Sequence, residues 1–136
     1  MKALSANIKR ALPVGATLTC ADNSGAKIVE IINVLKYKGV LRRVPTAGVG
    51  SIIICSVKKG TPAMRKKKVK AIVVRQKAAY KRANGTTVVF EDNAAVLIEP
   101  KKGIPVATEI KGVIAREVAE IYPKIAAIAA GVAWGV

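Results

Sequence analysis

The sequence predicts a mainly β domain, a small barrel or sandwich of short strands followed by two short helices. Three observations lead there. Isoleucine and valine together number 33 against 6 leucines, and β-branched side chains fit a pleated surface better than a helix. Gly, Pro and Asn punctuate the chain at roughly 8–12-residue intervals, the spacing of strands in small sandwiches and barrels. With 136 residues, 51% of them apolar, the chain is long enough to bury one core without disulfides or metals, and too apolar for wholesale disorder. No repeat or low-complexity linker divides it, so one domain is expected over 1–136. Its β part spans about 13–111, and a short helical region follows at 112–136.

The first strand is expected at 17–21 (TLTCA), ended by Asp22-Asn23-Ser24-Gly25, a strong turn signal. The second is 27–35 (KIVEIINVL). On strict alternation Ile28, Glu30, Ile32 and Val34 share one face and Val29, Ile31 and Asn33 the other, so both faces read as covered for part of its length. Residues 36–47 (KYKGVLRRVPTA) form a basic loop or irregular ribbon, and Gly48-Val49-Gly50 turns the chain into a third strand at 51–57. The fourth is 69–74, continued by basic residues to Arg82. Asn84-Gly85 marks a two-residue hairpin turn, with a returning strand at 86–90 and another at 94–98. The character then changes. Val113, Arg116, Glu117 and Glu120 stand at helical spacing within 113–121, with Arg116 and Glu120 an i,i+4 pair. Pro123 lacks an amide donor and starts a second helix over the Ala-rich 124–130.

Charge sets the functional class. There are 24 Lys and Arg against 8 Asp and Glu, a net of +16, and a folded domain this basic repels itself unless something acidic neutralises it. The 60 residues between Glu30 and Glu91 contain no acid and 15 cations. A solvated surface ordinarily mixes both signs, so nucleic acid is the expected partner and an anionic membrane the alternative. The cations fall in four clusters: Lys36, Lys38, Arg42 and Arg43; Lys58 and Lys59; Arg65, Lys66, Lys67 and Lys68 with Lys70; and Arg75, Lys77, Lys81 and Arg82. Of the few aromatics only Tyr37 and Tyr80 lie among them. Base stacking, worth roughly 1–3 kcal/mol per base, is therefore scarce, and contacts to phosphate and sugar are expected to dominate. Neutralising about eight to ten phosphates gives a log K against log salt slope of about −6 to −9. Asn23, Ser24 and Lys27 are expected to assist at the first turn.

Catalytic chemistry is poorly represented. Histidine is absent from the sequence, which removes the commonest general base and metal ligand. Cys20 and Cys55 lack CxxC spacing and lie in strand-like runs, as reduced core residues do. Asp22 with Glu30, or Glu91 with Asp92, are the carboxylates that could in principle pair, but Asp92 beside Asn93 after a strand reads as turn chemistry, and catalysis is not expected. Gly48-Val49-Gly50 without a following Lys-Ser or Lys-Thr reads as a turn rather than a phosphate cradle. No enzyme, metal or cofactor is expected. Residues 1–16 mix Lys2, Lys9, Arg10 and Pro13 among short apolar steps, unlike a secretory signal. The apolar run from Ile121 is broken by Pro123 and Lys124 and is too short to span a bilayer. A cytoplasmic protein is expected.

Seven segments occur in order: ADNSGAK (21–27), AGVG (47–50), SVKKG (56–60), AIVVRQK (71–77), NG (84–85), FEDNAAVLI (90–98) and AREVAEIYPKIA (115–126). Together they closely resemble the universal large-ribosomal-subunit protein 14 family, from about Pro13 to Ala130. The residues before Pro13 and the segment YKGVLRRVPT resemble its archaeal and eukaryotic branch. Ser51 stands where the family usually has Asp, and residues 104–110 and 131–136 depart from the pattern. The resemblance implies a five-stranded β-barrel with a projecting β-ribbon, direct binding to large-subunit rRNA beside neighbouring ribosomal proteins, and bridges to small-subunit rRNA. It also implies a C-terminal surface offered to other proteins, an anti-association initiation factor among them. That surface maps here to Arg116, Glu117, Glu120, Tyr122 and Lys124.

Overall fold

A computed structural model describes residues 6–8, 10–35, 42, 44–82, 85–99 and 104–133. The strands are β1 (Ala6–Asn7), β2 (Leu12–Pro13), β3 (Thr17–Cys20), β4 (Ala26–Val34), β5 (Thr46–Ala47), β6 (Ile52–Gly60), β7 (Lys68–Arg75), β8 (Tyr80–Arg82), β9 (Thr87–Val88), β10 (Ala94–Ile98) and β11 (Ile110–Ala115). Two helices follow, α1 (Arg116–Ile121) and α2 (Pro123–Ile128), and then β12 (Ala129–Ala133). Five strands close into a barrel in the order β10-β3-β4-β6-β7. Every neighbouring pair is antiparallel except β10 with β3, which is parallel. Closure leaves no open edge in the barrel itself.

The core has two compartments, and β7 explains why. Ala71 and Val73 point into the barrel with Leu18, Val29, Ile31, Ile53 and Leu97. Their neighbours Ile72 and Val74 point outward and are equally buried, beneath Ile110, Ile114, Val118 and Ile125 of the C-terminal segment. The unbroken apolar runs of β7 and β10 are thus strands covered on both faces. Double coverage was expected of β4 instead. There, register shifts near Ile28 and between Ile31 and Asn33 put Val29, Ile31 and Val34 inside and leave Ile32 exposed.

The C-terminal segment also differs from the helical expectation. Val113 lies in β11, which pairs in parallel with β12 across Val113–Gly131, Ile114–Val132 and Ala115–Ala133. The helix begins only at Arg116, and the second ends at Ile128 rather than Ala130. Val113 and Ile114 are β-branched and find a strand partner, which overrides the helical spacing. Pro123 does open α2. The hairpin of β8 and β9 is closed by the Arg82 N–H donating to the Thr86 carbonyl, with Gly85 at φ +86. The loop is one residue longer than a two-residue turn, and Asn84 lies outside the described residues.

Candidate nucleic-acid interface

The connection from β6 to β7 carries the densest charge, and backbone hydrogen bonds hold it. The Thr61 N–H donates to the Gly25 carbonyl, and the Thr61 carbonyl accepts from Met64 and Arg65. Met64 packs its side chain on the barrel core. At Gly60 a side chain would stand 2.7 Å from the Gly25 carbonyl oxygen, so the two turns approach closely only because Gly60 has none. Val57 is then bonded twice. Its carbonyl accepts from the Lys66 N–H at 2.9 Å, and its N–H donates to the Lys67 carbonyl at 3.0 Å. Two residues opposite one make a bulge whose first residue is left-handed. Lys66 occupies that position at φ +64, where glycine is usual.

This corner presents Arg65, Lys66, Lys67 and Lys68 to solvent, with Lys58 and Lys59 exposed at the end of β6 and Lys70 half-buried. Lys68 and Lys70 pair with Ser56 and Ile54 across the ladder, so they share the outer face of the barrel. Among the described residues no acid pairs with residues 65–68. Lys58 is tempered by Glu30 at 3.5 Å, an exposed contact worth little. Arg42 is exposed and left-handed at φ +71. Lys36, Lys38 and Arg43 lie outside the described residues.

The last basic cluster splits. Lys77 and Lys81 are exposed. Arg75 turns inward: its Nη2 donates to Asp92 Oδ2 at 3.2 Å, Nε lies 3.0 Å from Oδ1, and Nη1 donates to the carbonyls of Lys111 and Val113. Arg82, expected at the phosphate-facing surface, is instead buried. Its Nε donates to Glu117 Oε1 at 2.7 Å, while the Tyr80 hydroxyl donates to Oε2 at 2.8 Å. Strand alternation is the reason, because Tyr80 and Arg82 face the C-terminal layer and only Lys81 faces out. Burial alone would raise the Glu117 pKa. The Arg82 bond, its own backbone N–H and the Tyr80 hydroxyl outweigh this and hold the carboxyl below its ordinary value. Burial, reinforced by Glu117, pushes the Tyr80 hydroxyl up.

Glu117 was expected on the C-terminal surface and is the buried half of this pair. Lys124 is exposed there, beside Arg116 and Glu120 joined at 3.1 Å. Tyr122 is half-buried, its hydroxyl donating to the Gly50 carbonyl. At the first turn Asn23 Oδ1 accepts from the N–H groups of Thr108 and Glu109, and the Ser24 hydroxyl donates to Asp22 at 2.6 Å. Those polar groups hold the turn together, and Lys27 is the exposed cation beside it. Asp22, buried, also accepts from the Leu97 N–H and the Cys20 thiol. Cys20 and Cys55 are free and buried.

Sequence reading missed a cleft of about 190 Å³ on the barrel wall, lined by Thr17, Leu18, Thr19, Ile28, Lys77, Asp92 and Asn93. Only the Thr-x-Thr alternation on a strand hinted at it. Among the described residues no three of His, Cys, Asp and Glu group so as to hold a metal ion, and no helix is long and apolar enough to cross a membrane.

Fold and surface together define a class: a closed five-stranded β-barrel that carries a pinned, acid-free cationic corner. Comparison with known proteins identifies the family. The family model "Ribosomal protein L14p/L23e" matches residues 11–133, and the chain belongs to that family. "Large ribosomal subunit protein uL14" of Methanococcus vannielii is 54% identical over 129 residues, covering 95% of this chain and 97% of that one. Its namesake in Thermoplasma volcanium is 55% identical with the same coverage. Both organisms are archaea, in keeping with the branch that the segment before AGVG resembles.

Proposed function

We propose that the protein is a non-catalytic structural constituent of the large ribosomal subunit, resident in the cytoplasm, which binds large-subunit rRNA directly through the face around residues 58–70. The observation that carries this is the corner at residues 65–68. Its cations have no acidic partner among the described residues, yet backbone bonds to Val57, Thr61 and Gly25 fix them to the barrel. Cations held in place suit an RNA that docks in one register, whereas a mobile tail would bind phosphate without orientation. Lys27, Arg42, Lys77 and Lys81 extend the same role. Bridging to small-subunit rRNA fits the charge left over once one RNA has been neutralised. Arg116, Glu120, Tyr122 and Lys124 offer a mixed-sign surface to neighbouring ribosomal proteins and to an anti-association initiation factor.

The test is the combined variant Arg65→Ala, Lys66→Ala, Lys67→Ala, assayed on a large-subunit rRNA transcript over a salt series. Loss of three phosphate contacts should flatten the log K against log salt slope by about 2–3, with the β-type circular dichroism unchanged. An unchanged slope, or equal binding of the parent protein to rRNA, duplex DNA and anionic vesicles, overturns the reading.

A further inference from the structure

The cleft on the barrel wall lies outside the basic corner, and its chemistry is different. Thr17 and Thr19 are two residues apart on β3, so both side chains leave the same face, about 7 Å apart along the strand. That separation is on the scale of one nucleotide step in a nucleic-acid strand. Both threonines are exposed, as is Lys77, and among the described residues neither hydroxyl nor the Lys77 ammonium has a partner. Asn93 Oδ1 accepts from the Lys77 backbone N–H at 2.8 Å, which assigns the amide and leaves Nδ2 as the donor of this side chain. The single acid of the lining, Asp92, is held by Arg75 through both oxygens. Its charge is thereby offset, while its remaining lone pairs can still accept a hydroxyl proton.

The lining therefore provides one cation, two hydroxyls, one amide donor and a neutralised carboxylate. With about 190 Å³ the cleft is smaller than the ~300–1,000 Å³ of ordinary ligand pockets and has room for one sugar. No aromatic side chain lines it, so it offers no platform for a base. We infer that this cleft binds one ribose-phosphate unit of the RNA backbone, with Lys77 on the phosphate, and with Thr17, Thr19 and Asp92 spread along the ribose so that its 2′-hydroxyl meets one of the threonines. The inference rests on the rRNA-binding reading and adds to it a means of telling RNA from DNA, since the 2′-hydroxyl is the group that differs.

The experiment is nucleotide-analogue interference. Large-subunit rRNA transcripts carrying scattered 2′-deoxy substitutions are bound to the full-length protein, and substitutions depleted from the bound fraction are mapped. The parent protein should show at least one interfering position that disappears with the variant Thr17→Val, Thr19→Val, whose affinity for unmodified rRNA falls about two- to tenfold. The variant keeps shape and β preference, and unchanged thermal unfolding confirms its fold. Identical interference maps for parent and variant overturn the cleft assignment. The variant lacking the cations of Arg65, Lys66 and Lys67 separates the two readings: it should bind more weakly yet keep the interfering position. If it binds as well as the parent, the basic corner is the part that fails.

Discussion

Replacing Glu117 by Gln should be among the most damaging single changes, although it lies outside any RNA-facing surface. The side chains of Arg82 and Glu117 are 2% and 1% exposed and meet at 2.7 Å. Neutralising Glu117 leaves the guanidinium charged and buried, and breaking such a pair costs about 3–5 kcal/mol. For a chain of this size each kcal/mol moves Tm by roughly 3–4 °C, so the midpoint should fall by about 10–20 °C. The double variant Arg82→Met, Glu117→Leu removes both charges while keeping apolar volume, and should lie within about 2 kcal/mol of the parent or above it. A pH series adds an independent check. The Glu117 pKa is lowered from 4.5 by folding, so between the folded value and 4.5 the unfolded chain binds more protons. The contribution of Glu117 is complete above about pH 4.5 and is lost as pH falls through the folded value. Calorimetry of the free protein from pH 3 to 7 should show this loss in the parent and a flatter profile in Glu117→Gln. A penalty below about 1 kcal/mol would refute the buried-pair argument. So would a double variant that loses rRNA affinity as strongly as one lacking the cations at 65–67, because Arg82 would then be a phosphate contact.

Other consequences are smaller in scope. Lys66→Gly should relieve a left-handed backbone and raise stability by about 1 kcal/mol, while flattening the salt slope on rRNA by about 0.7–0.9. Denaturant melts and binding titrations should therefore move in opposite directions. Gly112→Ala should destabilise by about 1–3 kcal/mol, since φ is +76 and a Cβ would overlap Arg75 Nη1, displacing the arginine that joins Asp92 to β11; a melt at neutral pH reads this directly. Cys20 and Cys55 should resist a thiol reagent at pH 8 in the folded protein and both react in urea. Burial pushes each thiol up to about 12, with the Asp22 carboxylate adding to the effect at Cys20.

What was legible in the sequence follows from which rules act locally. The strand at 94–98 and the turn at 22–25 were readable because apolar runs and turn residues carry their own signals. The double burial of β7 was not assigned from AIVV alone, since an unbroken apolar run shows that two faces are covered only when something is known to cover the second. That cover is the C-terminal segment, whose Ile110, Ile114, Val118 and Ile125 come from more than 30 residues downstream. Helical spacing at 113–121 misled for the same reason: a parallel partner at 129–133 decides the conformation of Val113 and Ile114, and no local pattern announces it. In β4 the irregular register defeats alternation, so Val29, Ile31 and Val34 share an interior that strict period two separates.

Charge shows the same division between local count and tertiary placement. The density of cations between Glu30 and Glu91 was visible at once, but not which of them are committed inside the protein. Two of the acids settle that among the described residues. Asp92 meets Arg75 and Glu117 meets Arg82, whereas Glu30 meets only an exposed Lys58. Arg75, on barrel strand β7, holds Asp92 and donates to the β11 carbonyls of Lys111 and Val113. Arg82, on β8, holds Glu117 of α1, so both tie the C-terminal layer to the rest of the fold. Lys77 and Lys81, in the same stretch, alternate outward and stay exposed. The corner at 65–68 is the opposite case, where four cations face solvent and the backbone alone fixes them. Basic residues therefore do two jobs in this fold, and burial of the cation against an acid, more than position in the sequence, separates the structural ones from those left to meet phosphate.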